Sequence, residues 1–263
     1  DIKSCGNITL ALSIEGDECS NDDRRGQGAY EKTIEAMKLL KREKILFGIS
    51  VCYTSRNVND VTSDEFLDKM VDLGVKYAFY FNFMPVGKGA DKDLIPTPSQ
   101  RKYMYYWLKK MRNGHTGKPL FVMDFQDDGE YVGGCIAGGR NYFHINSKGD
   151  MEPCVFVHYS DSNIKTDTLL EALQKPLFMA YRKGQPFNDN HLMPCPMLEN
   201  PEILRRIIKD TGAKSTDFVS KETVEELCSK CDDFSKAWKP VATEIWGNNP
   251  HPKTHTQYYR DHK

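Results

Sequence analysis

Residues 135–154 read CIAGGRNYFHINSKGDMEPC, with a cysteine at each end. An alternating run over 142–145 leads into a Ser-Lys-Gly-Asp turn, after which a second run returns to the last cysteine. Because the glycine of such a turn supplies a positive φ, the pattern predicts a β-hairpin. The hairpin would place Cys135 and Cys154 near one end of a two-stranded ribbon, where two thiolates could share zinc or an iron–sulfur cluster.

Three further cysteines follow this segment. Cys195 lies between two prolines, which block helix and ladder hydrogen bonds and are typical of a loop. Cys228 and Cys231 form a C-x-x-C in a helical stretch, where a spacing of three places both thiols on one face. A four-thiolate site needs four of the five cysteines in this half of the chain.

Other readings of these residues stay open. A lone buried cysteine is usually a small apolar core residue, and this is our interpretation of Cys5, Cys19 and Cys52. An imidazole from His144 or His158 could replace one thiolate in a zinc site, although packing explains His144 at least as well.

The composition is balanced, with 36 basic and 37 acidic residues among 263. Nothing in this balance favours nucleic acid or a membrane surface as a partner, no apolar run reaches transmembrane length, and no secretory signal opens the chain. We therefore expect a cytoplasmic protein, and the irregular cysteine spacing disfavours a secreted disulfide framework. Since the sequence begins with Asp1 rather than Met, we expect it to be a piece of a longer protein.

Strands and helices alternate in the first half. Strands are predicted over 8–15, 45–54, 76–84 and 119–125, and helices over 29–43 and 63–73 and from 97. Capping boxes open the last two helices, Thr62 with Glu65 and Thr97 with Gln100. The stretch GDECSNDDRRGQG between the first strand and helix is predicted to be a loop. Such alternation implies parallel pairing with right-handed crossovers. A barrel fits best, with Phe47 and Phe79 facing the helices and Ser13, Ser50 and Asn82 facing one inner cavity; a doubly wound sheet is the alternative.

Polar residues gather where the predicted parallel strands end. Ligands bind at that end in both barrels and open α/β sheets, although each residue alone could be an ordinary turn or surface residue. The group consists of Ser13, Glu15, Ser50, Thr54 and Asn82. In the second half, helices are predicted near 167–182, 201–210 and 221–246.

Four motifs together resemble the radical S-adenosylmethionine enzymes that carry a SPASM or twitch auxiliary-cluster domain. Ser13-Ile14-Glu15-Gly16 is similar to the Ser-Ile-Asp-Gly that ends the family's fourth barrel strand, and residues 21–26 (NDDRRG) resemble its His-Asp-x-x-Arg-Gly. Residues 84–87 (MPVG) resemble the turn after the sixth strand, beside the adenine. The spacing of Cys135, the turn glycine and Cys154 resembles the first half of the SPASM or twitch motif.

The resemblance implies an α/β fold in which residues 1–125 form strands four to six of a partial (β/α)6 barrel. Residues 126–246 would form the auxiliary cluster domain with its hairpin and helices, and 247–263 a polar tail. It also implies reductive cleavage of S-adenosylmethionine and radical chemistry on an unknown substrate, a peptide or a small molecule, with electrons from a reducing donor. The implied cofactors are an auxiliary 4Fe–4S cluster and, in the intact protein, S-adenosylmethionine with a second 4Fe–4S cluster.

The resemblance also assigns residues to these groups. Cofactor-binding positions are Ser13, Glu15, Arg25, Ser50, Thr54 and Asn82; metal ligands are Cys135, Cys154, Cys195, Cys228 and Cys231. For the cluster it favours Cys195 plus one cysteine of the C-x-x-C, while a pair supplied by the C-x-x-C alone is the alternative.

The family's C-x-x-x-C-x-x-C loop, which binds the cluster that cleaves S-adenosylmethionine, occurs nowhere in this sequence. We expect the loop to lie upstream in the intact protein, and this chain alone to be inactive. Two other functions stay open: a zinc-binding structural module, and a non-catalytic partner domain that binds a peptide.

Overall fold

The computed structural model describes residues 2–114, 116–219 and 221–248, and the chain divides into two compact units. The first unit comprises Asp1–Phe83 with Asp93–Phe125, and the second Met84–Lys92 with Gln126–Lys263. Most of the predicted polar tail, residues 249–263, lies outside the described residues. Within the described ranges, no helix combines the length and apolar character that crossing a membrane requires.

The first unit is built on four parallel strands. Its strands are β1 (Leu10–Ser13), β2 (Phe47–Tyr53), β3 (Tyr77–Asn82) and β4 (Phe121–Asp124). Its helices are α1 (Ile2–Cys5), α2 (Glu18–Arg25), α3 (Ala29–Arg42), α4 (Val58–Val61), α5 (Asp64–Leu73) and α6 (Pro98–Arg112). The strands pair in the order of the chain, β1-β2-β3-β4, so the predicted parallel pairing is confirmed.

One face of this sheet is covered by helices. Ile49 and Val51 of β2 are fully buried against Met37 of α3, Met70 of α5 and Met104 of α6 in one core cluster. Sequential strand order with α3, α5 and α6 in one core is the arrangement of a partial barrel, whereas a doubly wound sheet reverses its order and carries helices on both faces. The α/β partial-barrel prediction is confirmed.

The predicted orientation of β3 is wrong. Ser50 pairs with Phe79 and Tyr53 with Asn82, and residues paired in register share a face. Phe79 therefore lies on the inner face with Ser13 and Ser50, while Asn82 lies with Tyr53 on the helix side. Because β3 has aromatic residues on both faces, the size of its side chains did not indicate which face is inner.

Two local predictions in this unit are also corrected. The segment predicted as a loop after β1 contains α2, whose N-cap Asp17 accepts from the Ser20 backbone N–H at 2.7 Å. Helix α5 is capped by Ser63, one residue after the predicted cap. The predicted capping box that opens α6, Thr97 with Gln100, is confirmed.

The second unit is rich in loops. Its helices are α7 (Gly129–Val132), α8 (Leu169–Gln174), α9 (Pro176–Gly184), α10 (Pro201–Thr211) and α11 (Val224–Asn248); its strands are β5 (His144–Ile145), β6 (Met151–Glu152), β7 (Tyr159–Ser160) and β8 (Lys214–Ser215). The antiparallel β5–β6 pair confirms the predicted hairpin, with Gly149 at a φ of 92°. The helix predicted over 167–182 is two helices, because Pro176 starts a new one.

Candidate iron–sulfur centre and strand-end network

Three cysteines of the second unit act on one another electrostatically. Burial raises the pKa of Cys135 to about 12, and Cys154 adds to the shift. Burial also raises the pKa of Cys195, followed by effects of Glu199, Cys135 and Cys154. Such mutual effects require proximity, so the hairpin ends and the Pro-Cys-Pro loop come together in one neighbourhood. Without a metal these thiols stay protonated at neutral pH, and a metal would displace their protons on binding.

Hydrogen-bond donors surround these sulfurs. The phenolic oxygen of Tyr142 lies 2.8 Å from Cys154 Sγ. The backbone N–H groups of Met197 and Leu198 each donate to Cys195 Sγ at 3.4 Å. Donors of this kind stabilise a sulfur that carries negative charge, as a metal-bound thiolate does.

A second tyrosine hydroxyl lies in the same neighbourhood. Tyr181 of α9 is fully buried, and its hydroxyl has no hydrogen-bond partner within the described residues. Burial raises its pKa, and Cys154, Cys135, Cys195 and Tyr142 add to the shift. An unpaired buried hydroxyl costs about 1–3 kcal/mol, so it indicates a site shaped for a group that the chain itself does not supply.

The cysteines of α11 differ in their surroundings. Both cysteines are fully buried. The pKa of Cys231 is raised mainly by burial and next by the neighbouring Cys228, and Glu199 contributes as well. For Cys228, burial raises the pKa to about 12, and the principal electrostatic influences are Arg205 and Asp232. Glu199 also accepts from the Cys195 backbone N–H at 2.8 Å, so Cys231 shares a neighbour with Cys195.

The donor set fits an iron–sulfur cluster, which is held by cysteine thiolates with hydrogen bonds to its sulfurs. A four-iron cluster binds each thiolate at a different iron and so keeps its ligands further apart than tetrahedral zinc does. The thiols, the backbone donors and the orphaned Tyr181 hydroxyl match the larger group.

The two histidines of this region form hydrogen bonds with the carboxylate of Glu152. His144 Nδ1 and His158 Nδ1 lie 2.8 Å and 3.1 Å from the same Glu152 oxygen, and Thr216 donates to the other at 2.5 Å. Burial works to raise the pKa of Glu152, but hydrogen bonds from His158, Thr216, His144 and Asn146 outweigh it and lower the pKa to about 2. No pattern in the sequence indicated this role of Glu152.

In the first unit, Glu15 lies two residues after β1 as a fully buried carboxylate with a complete set of partners. Arg25 donates to one oxygen, Arg24 lies 3.6 Å from it, and the Cys52 backbone N–H donates to the other at 3.0 Å. Asn21 accepts from the Glu15 backbone N–H at 3.1 Å. The Ser-Ile-Glu-Gly and Asn-Asp-Asp-Arg-Arg-Gly stretches therefore form one network that links two strand ends to α2.

Of the other predicted cofactor-binding residues, Thr54 bonds within the chain, whereas Ser13 and Ser50 lie on the inner face of the sheet. Thr54 is buried, and its hydroxyl and backbone N–H both donate to Asn57 Oδ1, at 3.0 Å and 2.7 Å. Ser13 and Ser50 are register partners, half-buried on the inner face. Asn57 was not predicted, although an Asn three residues after a strand end is a recognisable turn signal.

Tyr142 and Tyr181 were also not predicted. Tyr142 belongs to the alternating run before the hairpin turn, and Tyr181 reads as one apolar position of an amphipathic helix. Their sequence pattern is that of core residues, and only the fold brings their hydroxyls to the cysteines.

Comparison with known proteins gives this geometry a family context. Residues 135–197 match the model of the SPASM family, an iron–sulfur cluster-binding domain. Over 193 residues the chain is 23% identical to the AdoMet-dependent heme synthase of Methanosarcina barkeri (strain Fusaro / DSM 804), covering 65% of this chain and 54% of the relative. The chain thus spans about half the length of that curated relative.

Solved structures share the fold. The structure of anSMEcpe with bound AdoMet and Cp18Cys peptide superposes with a TM-score of 0.51 at 17% identity, covering 94% of this chain and 71% of that one. Streptococcus suis SuiB bound to its precursor peptide SuiA gives a TM-score of 0.56 at 16% identity, covering 82% and 53%. The chain therefore shares the fold of these structures, and its residues 135–197 are similar to the SPASM iron–sulfur cluster-binding domain, which confirms the resemblance to radical S-adenosylmethionine enzymes with such a domain.

Proposed function

We propose that this chain is the C-terminal part of a radical S-adenosylmethionine enzyme and that its second unit holds an auxiliary 4Fe–4S cluster. The observation that carries the proposal is the group of half-buried thiols of Cys135, Cys154 and Cys195 with the orphaned, fully buried hydroxyl of Tyr181. The activity of the intact protein is reductive cleavage of S-adenosylmethionine followed by radical chemistry on its substrate. The substrate is a peptide or a small molecule; peptides are bound in the anSMEcpe and SuiB structures.

Cys231 is the fourth ligand in this proposal. Glu199 acts electrostatically on Cys135, Cys195 and Cys231, whereas the main influences on Cys228 are Arg205 and Asp232. Cys228 is then a packing residue between α10 and α11. When bound, the cluster supplies one-electron transfer or holds substrate. The chain's own residues bury it, donate hydrogen bonds to its sulfurs and exclude water.

The ligand set is tested by iron and sulfide content after anaerobic reconstitution of the chain and three single variants. We expect Cys195→Ala and Cys231→Ala to lose the cluster and Cys228→Ala, the matched control on the same helix, to keep it. Iron retained in Cys195→Ala, or lost in Cys228→Ala and kept in Cys231→Ala, contradicts this assignment. One zinc per chain in place of iron would favour the zinc-module alternative.

For the first unit, we assign direct contact with S-adenosylmethionine to Ser13 and Ser50, because both lie half-buried on the inner face. Glu15, Arg25 and Thr54 position the strand ends, since their polar atoms bond within the chain. Asn82 is the last residue of β3 but faces the helices, so it remains a candidate for cofactor binding only through its position at the strand end. In equilibrium dialysis with S-adenosylmethionine, Ser50→Leu weakens binding and Ile49→Val, its neighbour on the helix face, does not; equal affinities contradict the assignment.

The second 4Fe–4S cluster and a reducing electron donor belong to the intact protein in this proposal. We place the protein in the cytoplasm, because all eight cysteines are free thiols, as expected of a reducing compartment.

A further inference from the structure

We propose that Tyr142 and Tyr181 donate hydrogen bonds to the sulfurs of the auxiliary cluster and thereby raise its reduction potential. The inference rests on the proposed function, because it requires the cluster at Cys135, Cys154 and Cys195. The two tyrosines are therefore positioning residues, which act on the reaction only through the reduction potential of the cluster.

Tyr142 has the more direct geometry. Its oxygen lies 2.8 Å from Cys154 Sγ, a distance at which either group can donate while the cysteine is a thiol. Metal binding requires the thiolate, which has no proton to donate. From that point only the phenolic O–H can donate, so the existing contact becomes a charge-assisted hydrogen bond to a cluster ligand.

Tyr181 approaches from α9. Its ring packs edge-to-face on Phe187, with centroids 5.3 Å apart at 88°, and the residue is fully buried. A Cβ at Gly138 would lie 2.5 Å from the Tyr181 side chain, so the chain leaves room for this ring at a position where φ is +66°. The ring is thus held firmly, while its hydroxyl has no partner among the described residues.

The surroundings of that hydroxyl identify its acceptor. Gly138, against which the Tyr181 ring packs, donates from its backbone N–H to the Pro153 carbonyl at 2.8 Å, so the ring lies beside the segment that carries Cys154. Buried hydroxyls are almost always paired, and a cluster held by the cysteine thiolates brings several sulfur acceptors to the neighbourhood. The hydroxyl of Tyr142, two residues before β5, and the hydroxyl of Tyr181, on α9, therefore converge on one group of thiols.

The consequence is electrostatic. Reduction adds one negative charge to the cluster, and hydrogen bonds to its sulfurs stabilise the reduced form more than the oxidised form. Removing a donor should therefore lower the potential. Phe is the suitable replacement, because it removes one oxygen and keeps the ring that packs on Gly138 and Phe187.

The experiment is potentiometric titration of the reconstituted chain, followed by electron paramagnetic resonance, with Tyr142→Phe, Tyr181→Phe and Tyr80→Phe. Tyr80 is a matched control: it is fully buried in the first unit, and its hydroxyl donates to the Val61 carbonyl at 2.7 Å. We expect each cluster-side variant to shift the reduction equilibrium about tenfold toward the oxidised form, or about 59 mV for a one-electron couple. The control leaves the potential unchanged.

The outcomes separate the two proposals. A chain that takes up no iron overturns the proposed cluster site itself. A cluster that assembles in all variants with one common potential leaves the site in place and overturns the role of the tyrosines. Should a variant fail to assemble, deuterium exchange into the native chain decides the question by electron–nuclear double resonance. Exchangeable deuterons that are coupled to the cluster in the native chain and lost in the tyrosine variant that does assemble support the inference, and none in the native chain contradicts it.

Discussion

The strand-end network of Glu15 and the half-buried thiol group around Cys135 are both polar, but they differ in how their groups are satisfied. Every oxygen of Glu15 has a partner in the chain, from Arg25, Arg24 and the Cys52 backbone. In the thiol group, protonated cysteines lie beside a tyrosine hydroxyl that has no partner among the described residues. A polar cluster that satisfies itself holds the fold together, whereas one with groups left over is built for a further component.

The largest effect that this contrast predicts is on the Glu15 network. Glu15→Ala leaves two arginines and a backbone N–H without their acceptor, and we expect the free energy of unfolding of the metal-free chain to fall by about 2–4 kcal/mol. The measurement is urea denaturation followed by far-UV circular dichroism.

The control is Glu43→Ala, which removes the exposed ion pair of Lys3 and Glu43, 3.1 Å apart. Exposed ion pairs contribute little to stability, so the two variants should differ clearly. Equal losses would mean that the Glu15 network is not the structural element described above.

A smaller effect is expected where Tyr181 packs against Gly138. Gly138→Ala introduces both left-handed strain at φ +66° and a contact of 2.5 Å with Tyr181. Gly212→Ala is matched, with φ +65° and no heavy atom within 4 Å of the added Cβ. The strain costs about 1 kcal/mol in both, and overpacking adds about 1–3 kcal/mol in the first.

The readouts for this pair are the melting temperature of the metal-free chain and its iron content after reconstitution. We expect Gly138→Ala to melt lower than Gly212→Ala and to retain less iron, since Tyr181 is displaced. If the two variants behave alike, Tyr181 is not held in place by Gly138.

The smallest effect concerns the pH dependence of stability. The pKa of Glu152 falls from 4.5 to about 2 on folding, so its contribution is present above pH 4.5 and is lost as the pH falls toward 2. The pKa of His158 is raised from 6.5, chiefly by Glu152, so its contribution is present below pH 6.5 and is lost at higher pH. Between these limits both contributions act together.

Urea titrations of the metal-free chain between pH 3 and 8 test this. Glu152→Gln should flatten the acid limb, at a cost on the order of 2 kcal/mol near pH 5. Asp167→Asn is the comparison: it is a half-buried carboxyl outside the Glu152 network, and its pKa is also lowered, first by a hydrogen bond from Lys175. An unchanged acid limb in Glu152→Gln would contradict the account of this carboxylate.

Much of this architecture was predictable from local sequence signals, and the failures have specific causes. The alternation in β2 identified its buried face, and the Thr97–Gln100 capping box located the start of α6. In β3, aromatic residues on both faces removed the polarity that would have distinguished them, so Phe79 and Asn82 were assigned to the wrong sides. The short α2 was missed because its polar sequence has few apolar residues to show a helical period.

The candidate sites show a similar division. The cysteines could be found because cysteine is rare in sequences, and five of the eight here lie in the second half within a hairpin, a Pro-Cys-Pro loop and a C-x-x-C. Tyr181 and Glu152 could not, because their roles depend on contacts with segments distant in the chain, such as Gly138 and Thr216. Glu15 was found as a candidate, but only its partners show that it acts on the strand ends.

The most direct test of the central claim is the metal and sulfide content of the native chain after anaerobic reconstitution with iron and sulfide. The account predicts about four iron and four sulfide per chain, with a Mössbauer spectrum of a four-iron cluster. A chain that binds one zinc and no iron, or neither metal, would contradict it.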